Sequence, residues 1–217
     1  MTDFTLPEET KALARRVRQF VIDRIIPFER DPRLTSHGPN DDLRAELVAL
    51  ARAEGLLTPQ APKQLGGLDV GGRGFDHATQ AAVFEAAGWS TLGPVAMNCA
   101  APDEGNMYLL SRIARPDQVK QYLQPMIDGT RRSVFAMTEP EGAGSDPGQL
   151  KTRAVFNGND YEISGLKWLI TGANGAKTWI IMANVEPNSH GPHGPTLFLC
   201  EGDTPGIHIE RVMDSMD

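Results

Sequence analysis

Residues 135–146 read FAMTEPEGAGSD, a run of small and turn-forming residues placed directly after a short extended segment. The extended segment covers Ser133 to Met137 and stops at Pro140, because proline does not continue a strand ladder. The small residues that follow let the backbone approach a ligand closely and turn its N–H groups toward it. The sequence therefore predicts a loop that holds a ligand.

Two short β-like runs follow this loop, at residues 151–156 and 161–163, and the four residues between them read NGND. This pattern is a strong signal for a β-hairpin. Residues 165–172, GLKWLITG, come next and are interpreted as a further strand. We expect the hairpin to bring Thr138 close to Thr171.

A polar loop and a strand that carries an aromatic ring and a hydroxyl would then face one cleft. Such a cleft suits a flat heteroaromatic ligand with hydrogen-bonding edges. A simple turn beside a buried tryptophan fits the same spacing, so the spacing alone leaves both interpretations open.

The composition is that of a soluble globular protein, with 40% hydrophobic and 23% charged residues in a chain of 217. A net charge of −7 provides no basic face for phosphate backbones, so nucleic acid is not an expected partner. No apolar run is long enough to span a bilayer, and Asp3, Glu8 and Glu9 lie where a targeting peptide would be basic. We expect a cytoplasmic protein without a membrane span.

Cysteine and histidine give no sign of a disulfide framework or a metal site. Cys99 and Cys200 are interpreted as reduced, buried residues. His190 and His193 have a spacing found in metal sites, but they lie in a Gly- and Pro-rich stretch that is typical of a solvated loop.

Helical periodicity dominates the first part of the chain. It predicts helices that end at Pro27, run from about residue 41 to 54 and from 75 to 88, and begin again at Pro116, with a Thr5–Glu8 capping box at the start. Further strands are predicted at residues 178–184, 196–201 and 207–212. Helices followed by strands, without βαβ alternation, indicate an α+β protein with two domains rather than a Rossmann fold.

The β region carries a set of linked motifs in a fixed order: Thr-Glu-Pro, Gly-Ala-Gly-Ser-Asp, Lys-Thr, the hairpin, and a Lys-Trp-x-Ile-Thr-like strand. This set resembles the flavin-binding middle domain of the acyl-CoA dehydrogenases, and a weaker similarity extends over the rest of the chain. The resemblance implies an N-terminal all-α domain at residues 1–130 and a mostly antiparallel, β-barrel-like middle domain at 131–217. It also implies that the middle domain is incomplete and that the C-terminal helical domain of the family is absent.

The resemblance further implies that the β region binds FAD. In the family, the first motif wraps the flavin ring, its glycine-serine portion meets the flavin diphosphate and the CoA arm, and the strand motif packs on the flavin and bonds near N5. The family usually places tryptophan directly before Ile-Thr, whereas this chain has leucine there and tryptophan one residue earlier. The implied cofactor-binding residues are Phe135, Met137, Thr138, Gly144, Ser145, Trp168, Leu169 and Thr171.

Residues 95–107 form a segment of small side chains interrupted by Pro102. A buried helix with a kink explains this composition. The resemblance implies instead that the segment lines the far end of an acyl pocket, with Asn98, Ala101 and Ser145 as substrate-binding residues. Its Ala-Pro-Asp-x-Gly-Asn-Met phrase is most similar to the family branch whose eukaryotic members are numbered ten and eleven, which implies long or branched acyl groups.

The function implied is α,β-dehydrogenation of a fatty acyl-CoA, carried out by a longer protein of which this chain is the front portion. The catalytic base would then lie in the absent C-terminal domain, and Glu139 and Glu141 are interpreted as residues that fix loop geometry. Electron-transfer flavoprotein is the implied acceptor, and the complete enzyme would be a homo-oligomer. A non-catalytic subunit that binds flavin and acyl-CoA, and a related flavoprotein oxidase or monooxygenase, remain as alternatives.

Overall fold

A helical unit and a sheet unit make up this computed structural model, which describes residues 5–142, 146–187 and 193–213. The helical unit covers residues 5–130 and the sheet unit covers Arg131–Met213. Helices and sheet are therefore segregated along the chain, and the predicted α+β class is confirmed.

The helices of the first unit follow the apolar periodicity of the sequence. Helix α1 begins after Pro7, two residues later than the Thr5–Glu8 capping box predicts. Asn40 caps the second helix by accepting a hydrogen bond from the Leu43 backbone N–H. The helices are α1 (Glu8–Phe20), α2 (Asp41–Ala53), α3 (His77–Ala87), α4 (Gly93–Ala96), α5 (Asp103–Ile113), α6 (Pro116–Gln118) and α7 (Gln124–Ile127).

Shorter elements connect these helices. The helical path from α1 continues through a π-turn at Val21–Ile25 and a 3₁₀ turn at Ile26–Arg30, and a second π-turn at Val119–Leu123 joins α6 to α7. A 3₁₀ turn lies at Lys63–Leu65. Strands β1 (Leu34–Thr35) and β2 (Gly38–Pro39) form a small antiparallel pair.

The core of the helical unit lies between α1, α2 and α3. It is built from side chains with almost no exposed surface, among them Val17, Val21, Leu43, Leu47 and Val83. A buried hydrogen bond joins the hydroxyl groups of Thr10 and Thr79 (2.9 Å) and fixes α1 against α3.

The sheet unit is organised around its longest strands. Its elements are β3 (Ser133–Ala136), β4 (Arg153–Phe156), β5 (Tyr161–Ser164), β6 (Thr178–Val185) and β7 (Gly194–Glu201), with a 3₁₀ turn at Pro147–Gln149. Strand β7 pairs antiparallel with β6 along all eight residues. Strands β3 and β4 both pair parallel with β6, so they share its other edge, and β5 pairs antiparallel with β4.

The predicted hairpin is present between β4 and β5. Asn157 Oδ1 accepts hydrogen bonds from the backbone N–H groups of Asn159 and Asp160, which closes the turn. Both strands keep the register expected for a short hairpin, with Phe156 opposite Tyr161.

Three expectations about this unit are corrected by the structure. The described strands form an open five-stranded sheet and not a closed barrel, and two of its pairings are parallel. The stretch 165–172 is irregular rather than a strand. The stretch 207–212 also pairs with none of the described strands, although its composition favours a strand.

Both cysteines are free thiols. Cys99 is buried as predicted, whereas Cys200 in β7 is only partly buried. Burial raises the pKa of the Cys99 thiol to about 12. Among residues 5–142, 146–187 and 193–213, no helix has the length and apolar character needed to cross a bilayer.

Candidate functional site

The loop that follows β3 meets the segment that follows β5 at Thr138 and Trp168. The Trp168 backbone N–H donates to the Thr138 carbonyl oxygen (3.1 Å), and Thr138 Oγ1 donates to the Trp168 carbonyl oxygen (2.5 Å). The hairpin thus brings the two motifs together, as the sequence predicts. The residue that pairs directly with Thr138 is Trp168, three positions before Thr171.

The two hydrogen bonds that join Thr138 to Trp168 are called the crossing below. A buried ion pair lies beside it. Lys167 Nζ donates to Glu139 Oε1 (2.7 Å) and to the Met137 carbonyl oxygen (2.8 Å). The Glu139 side chain has almost no exposed surface, and the Lys167 side chain is also largely buried. The ammonium group therefore ties the segment after β5 to two positions of the loop after β3.

Glu139 also binds the chain just before β4. Its Oε2 accepts from the Lys151 backbone N–H (2.5 Å), and its Oε1 accepts from the Thr152 backbone N–H (3.0 Å). One carboxylate thus joins three stretches of chain that are distant in sequence. Glu139 fixes loop geometry, as the sequence analysis proposes, while Glu141 is exposed.

The hydrogen bonds of Glu139 lie where the edge of β6 has no paired strand. Strand β3 ends opposite Ile181, and β4 begins opposite Asn184 on the same edge of β6. Between them, the backbone of Thr152 turns its carbonyl oxygen to the Asn184 N–H (2.8 Å) and its N–H to Glu139. The carboxylate supplies the acceptor that a continuous ladder would otherwise supply.

The hydrogen bonds set the charge of this carboxyl group. Burial raises the pKa of Glu139, but the hydrogen bonds from Lys167, Thr152 and Lys151 outweigh it and lower the pKa to about 2. Burial is also the largest influence on Lys167 and lowers its pKa, while Glu139 raises it. At neutral pH, Glu139 is therefore a fixed anion.

Gly165 makes this arrangement possible by its lack of a side chain. A Cβ atom added there would lie 2.3 Å from Thr152 Oγ1 and 2.7 Å from Thr152 Cα. The segment that carries Lys167 therefore passes directly against the chain just before β4. A larger residue at position 165 would push the two apart.

An apolar surface is exposed beside the ion pair. Trp168 is 42% exposed and Leu169 is 63% exposed, and Leu166 is exposed as well. Leu169 has a φ of +55°, in the left-handed region that leucine seldom adopts. Because the backbone leaves the extended conformation here, the alternation of strand faces does not decide which way Trp168 and Leu169 point.

The remaining candidate residues of the sheet unit occupy varied positions. Phe135 lies in β3 and is partly buried, Met137 and Thr138 follow the strand, and Thr171 lies in an exposed turn. Gly144 and Ser145 lie outside the described residues.

In the helical unit, Asn98 and Ala101 follow α4. Asn98 is buried with a φ of +54°, and its Nδ2 donates to Thr58 Oγ1 and to the Met126 carbonyl oxygen, each at 2.8 Å. Ala101 is exposed in the turn before α5. These contacts give Asn98 a structural role, and its predicted part in an acyl pocket stays a prediction.

The described part of the chain holds no group of three or more side chains that would bind a metal ion. His193 is among the described residues, while His190 is not. The site thus consists of an exposed apolar surface beside a buried ion pair and the Thr138–Trp168 hydrogen bonds.

Comparison with known proteins matches both units. A family model described as the acyl-CoA dehydrogenase N-terminal domain matches residues 7–130, and one described as the acyl-CoA dehydrogenase middle domain matches residues 134–216. The chain belongs to the acyl-CoA dehydrogenase family. The resemblance drawn from the motifs is therefore confirmed.

Individual acyl-CoA dehydrogenases match over nearly the whole chain. "Probable acyl-CoA dehydrogenase FadE2" of Mycobacterium tuberculosis is 32% identical over 96% of this chain and 52% of its own length. Human "Acyl-CoA dehydrogenase family member 11" is 34% identical over 90% of this chain and 26% of its own length. A solved structure of a Mycobacterium abscessus protein assigned to the acyl-CoA dehydrogenases has a TM-score of 0.81 at 32% identity, over 96% of this chain and 54% of that one.

The chain thus spans about half the length of FadE2 and about a quarter of family member 11. Acyl-CoA dehydrogenases are flavoproteins. The side chains of Trp168 and Leu169 expose apolar area beside the Thr138–Trp168 hydrogen bonds.

Sequence reasoning missed Lys167 as a site residue and gave Glu139 no partner. A signal was present, because Lys167 is the one charged residue in the run GLKWLITG, and Glu139 is the charged residue of the Thr-Glu-Pro motif. Opposite charges in two motifs that meet favour an ion pair between them.

Proposed function

We propose that this chain is the front portion of a flavin-dependent acyl-CoA dehydrogenase that acts on a fatty acyl-CoA and uses FAD. The observation that carries the proposal is the crossing of Thr138 with Trp168, held by the buried Glu139–Lys167 pair and placed beside an exposed apolar surface. Membership of the acyl-CoA dehydrogenase family supports the same reaction.

The FAD would be held by residues on both sides of the crossing. Trp168 and Leu169 would provide apolar contact, while Phe135, Met137, Thr138 and Thr171 would surround the ring and its edge, with Gly144 and Ser145 toward the diphosphate and the CoA arm. Thr138 Oγ1 donates its proton to the Trp168 carbonyl oxygen, and Lys167 Nζ donates a hydrogen bond to the Met137 carbonyl oxygen. The Thr138 hydroxyl therefore offers a ligand its lone pairs rather than its proton.

When bound, a flavin supplies the redox chemistry by accepting a hydride from the β carbon of the acyl group. The residues of this chain would orient the reactants and exclude water. Glu139 is not suited to remove the α proton, because its oxygens accept hydrogen bonds from Lys151, Thr152 and Lys167 and its pKa is about 2. The base is accordingly assigned to a part of the protein beyond this chain.

The finer features of the function are proposed from the family resemblance. We assign a long or branched acyl chain, with Asn98, Ala101 and Ser145 near it, and electron-transfer flavoprotein as the acceptor. We assign the complete protein to the cytoplasm as a homo-oligomer.

The test is flavin binding and reduction by the full gene product. We expect a flavin absorbance band to copurify with the protein and to bleach when a fatty acyl-CoA is added without oxygen. Thr171→Val, which removes one hydroxyl, should weaken flavin binding by several-fold and up to about tenfold, the range for a single hydrogen bond. Thr196→Val is the matched control, since Thr196 Oγ1 bonds only the local Gly194 carbonyl oxygen among the contacts described.

Each outcome separates a different candidate. Flavin that binds but is not bleached by any acyl-CoA would favour a non-catalytic binding subunit. Flavin that is bleached by NADH but not by acyl-CoA would favour a monooxygenase. A protein that binds no flavin would overturn the proposal.

A further inference from the structure

We propose that Glu139 is a positioning residue of the flavin site: held by Lys167, it fixes the loop after β3 against the segment that carries Trp168 and Leu169. This inference rests on the proposed flavin site, which it deepens by naming what sets the shape of that site. Glu139 itself is buried beneath the surface and is given no contact with the ligand.

The Glu139 carboxylate joins three segments of the chain. Its oxygens accept from Lys151 and Thr152 just before β4 and from Lys167 after β5, while Glu139 itself belongs to the loop after β3. Any motion of one segment relative to another must break a charge-assisted hydrogen bond in a buried setting. Such bonds are short and stronger than neutral ones.

The ion pair is also connected directly to the exposed surface. Lys167 immediately precedes Trp168, and its ammonium group bonds the Met137 carbonyl oxygen next to Thr138. The ion pair therefore fixes the residues on each side of the Thr138–Trp168 crossing. The left-handed conformation of Leu169, one residue further, is maintained by the same anchorage, because an unrestrained leucine would leave it.

Glu139 also lies where the edge of β6 has no paired strand. The ladder along β6 is interrupted between the end of β3 and the start of β4. The Glu139 carboxylate bridges this interruption by accepting the Lys151 and Thr152 N–H groups. Without it, the loop would lose its bonds to the chain just before β4, and only the Thr138–Trp168 bonds and the Lys167–Met137 bond described above would hold it to the segment after β5.

A buried ion pair could also act on stability alone, and the experiment must separate the two roles. The full gene product is compared with Glu139→Gln, Lys167→Met and the double variant, with Lys167→Arg as the conservative replacement that keeps the positive charge. Glu186→Gln is the matched control, since Glu186 pairs with Arg153 at 2.6 Å in the same unit but away from the crossing.

The first measurement needs no flavin. Amide hydrogen exchange is followed at Trp168, whose N–H bonds the Thr138 carbonyl oxygen, and at Ile180 within β6. We expect Glu139→Gln to accelerate exchange at Trp168 by about tenfold while Ile180 changes less than about twofold. Equal acceleration at both amides would show a purely global loss of stability and would overturn the proposal.

The second measurement is flavin affinity, with the visible circular dichroism of the bound flavin as a report on its surroundings. We expect Glu139→Gln and Lys167→Met to weaken flavin binding by roughly ten- to hundredfold, as when a residue that orients a ligand contact is removed, and to alter the dichroism. Lys167→Arg should retain most of the affinity, and Glu186→Gln all of it.

Unchanged affinity and dichroism in a folded Glu139→Gln protein would overturn the positioning role even if its unfolding midpoint fell. A wild-type protein that binds no flavin would contradict the proposed function instead. The exchange at Trp168 would then still decide whether Glu139 holds the crossing.

Discussion

The helical unit and the sheet unit each bury a polar side chain that joins distant segments, but one side chain is neutral and the other is charged. Asn98 connects the residues after α4 to Thr58 and to the Met126 carbonyl oxygen through its amide group. Glu139 connects the loop after β3 to two further segments through its carboxylate. The same task is thus performed by an amide in one unit and by an ion pair in the other.

The two side chains, Asn98 and Glu139, hold their partners under different conditions. A neutral amide holds its partners with equal strength across the pH range in which proteins fold, whereas a carboxylate holds them only while it is ionised. The contacts of Glu139 therefore depend on the ionisation of Glu139 itself, whereas Asn98 has no charge to lose. Asn98 Oδ1 also accepts from Arg44, which pairs with Asp103. Three experiments test this difference between the units.

The largest effect is expected on acidification. Glu139 has its pKa lowered from an ordinary value of 4.5 to about 2, so its ionised form stabilises the folded state at pH values above 4.5. This shift corresponds to about 3 kcal/mol at pH 7 and about half of that at pH 3, and it is lost as the pH falls further through 2. The difference in free energy of unfolding between wild type and Glu139→Gln should shrink by about 2 kcal/mol from pH 7 to pH 3 in urea titrations.

The control for the acid experiment is Glu186→Gln, whose partner Arg153 is largely exposed. Its difference from wild type should stay within about 0.5 kcal/mol at both pH values. A difference for Glu139→Gln that is the same at pH 7 and pH 3 would show that the carboxylate is not held as an anion.

A smaller effect is expected at Asn98. Asn98→Ala removes two buried hydrogen bonds, to Thr58 Oγ1 and to the Met126 carbonyl oxygen, which still accepts from the Gly129 backbone N–H, at a cost of about 2 kcal/mol. Circular dichroism at 222 nm reports on the helical unit during urea unfolding. We expect the same cost at pH 7 and pH 3, and a cost that grows or vanishes with pH would remove the contrast between the units.

The smallest effect on stability is expected at Ala101. The side chain is exposed in the turn before α5, so Ala101→Phe should change the free energy of unfolding by no more than about 0.5 kcal/mol. If the residue lies near the acyl group, the variant should shift the preference of the full gene product toward shorter acyl-CoA substrates. Competition assays with a series of chain lengths measure this, and an equal loss at every length would favour a structural role.

The sequence predicts most elements of the two units because their signals are local. Apolar spacing identifies α1, α2 and α3, and the NGND turn identifies the hairpin, since both follow from the residues within the element. The hairpin is predicted to bring Thr138 close to Thr171, and in the structure Thr138 pairs with Trp168 of the same segment.

The sequence predictions are wrong where contacts with residues distant in the chain determine the backbone conformation. Residues 165–172 have a composition that favours a strand. In the structure, however, Lys167 bonds Glu139 and Trp168 bonds Thr138, and Leu169 has a positive φ. The stretch 207–212 is equally strand-like by composition and has no strand beside it among the described residues. Local propensity does not contain this information, because strand conformation depends on a neighbour.

The shared edge of β6 gives the loop between β3 and β4 an unusual freedom in length. Each of these strands is registered on β6 by its own pairing, and Glu139 closes the base of the loop, so extra residues in the loop shift neither register. Lengthening a flexible loop costs little, about 0.6 kcal/mol for a doubling. Glu141 lies in this loop, outside the paired strands, and is exposed. The loop is thus a position where evolution, or a protein engineer, can insert residues without refolding the sheet.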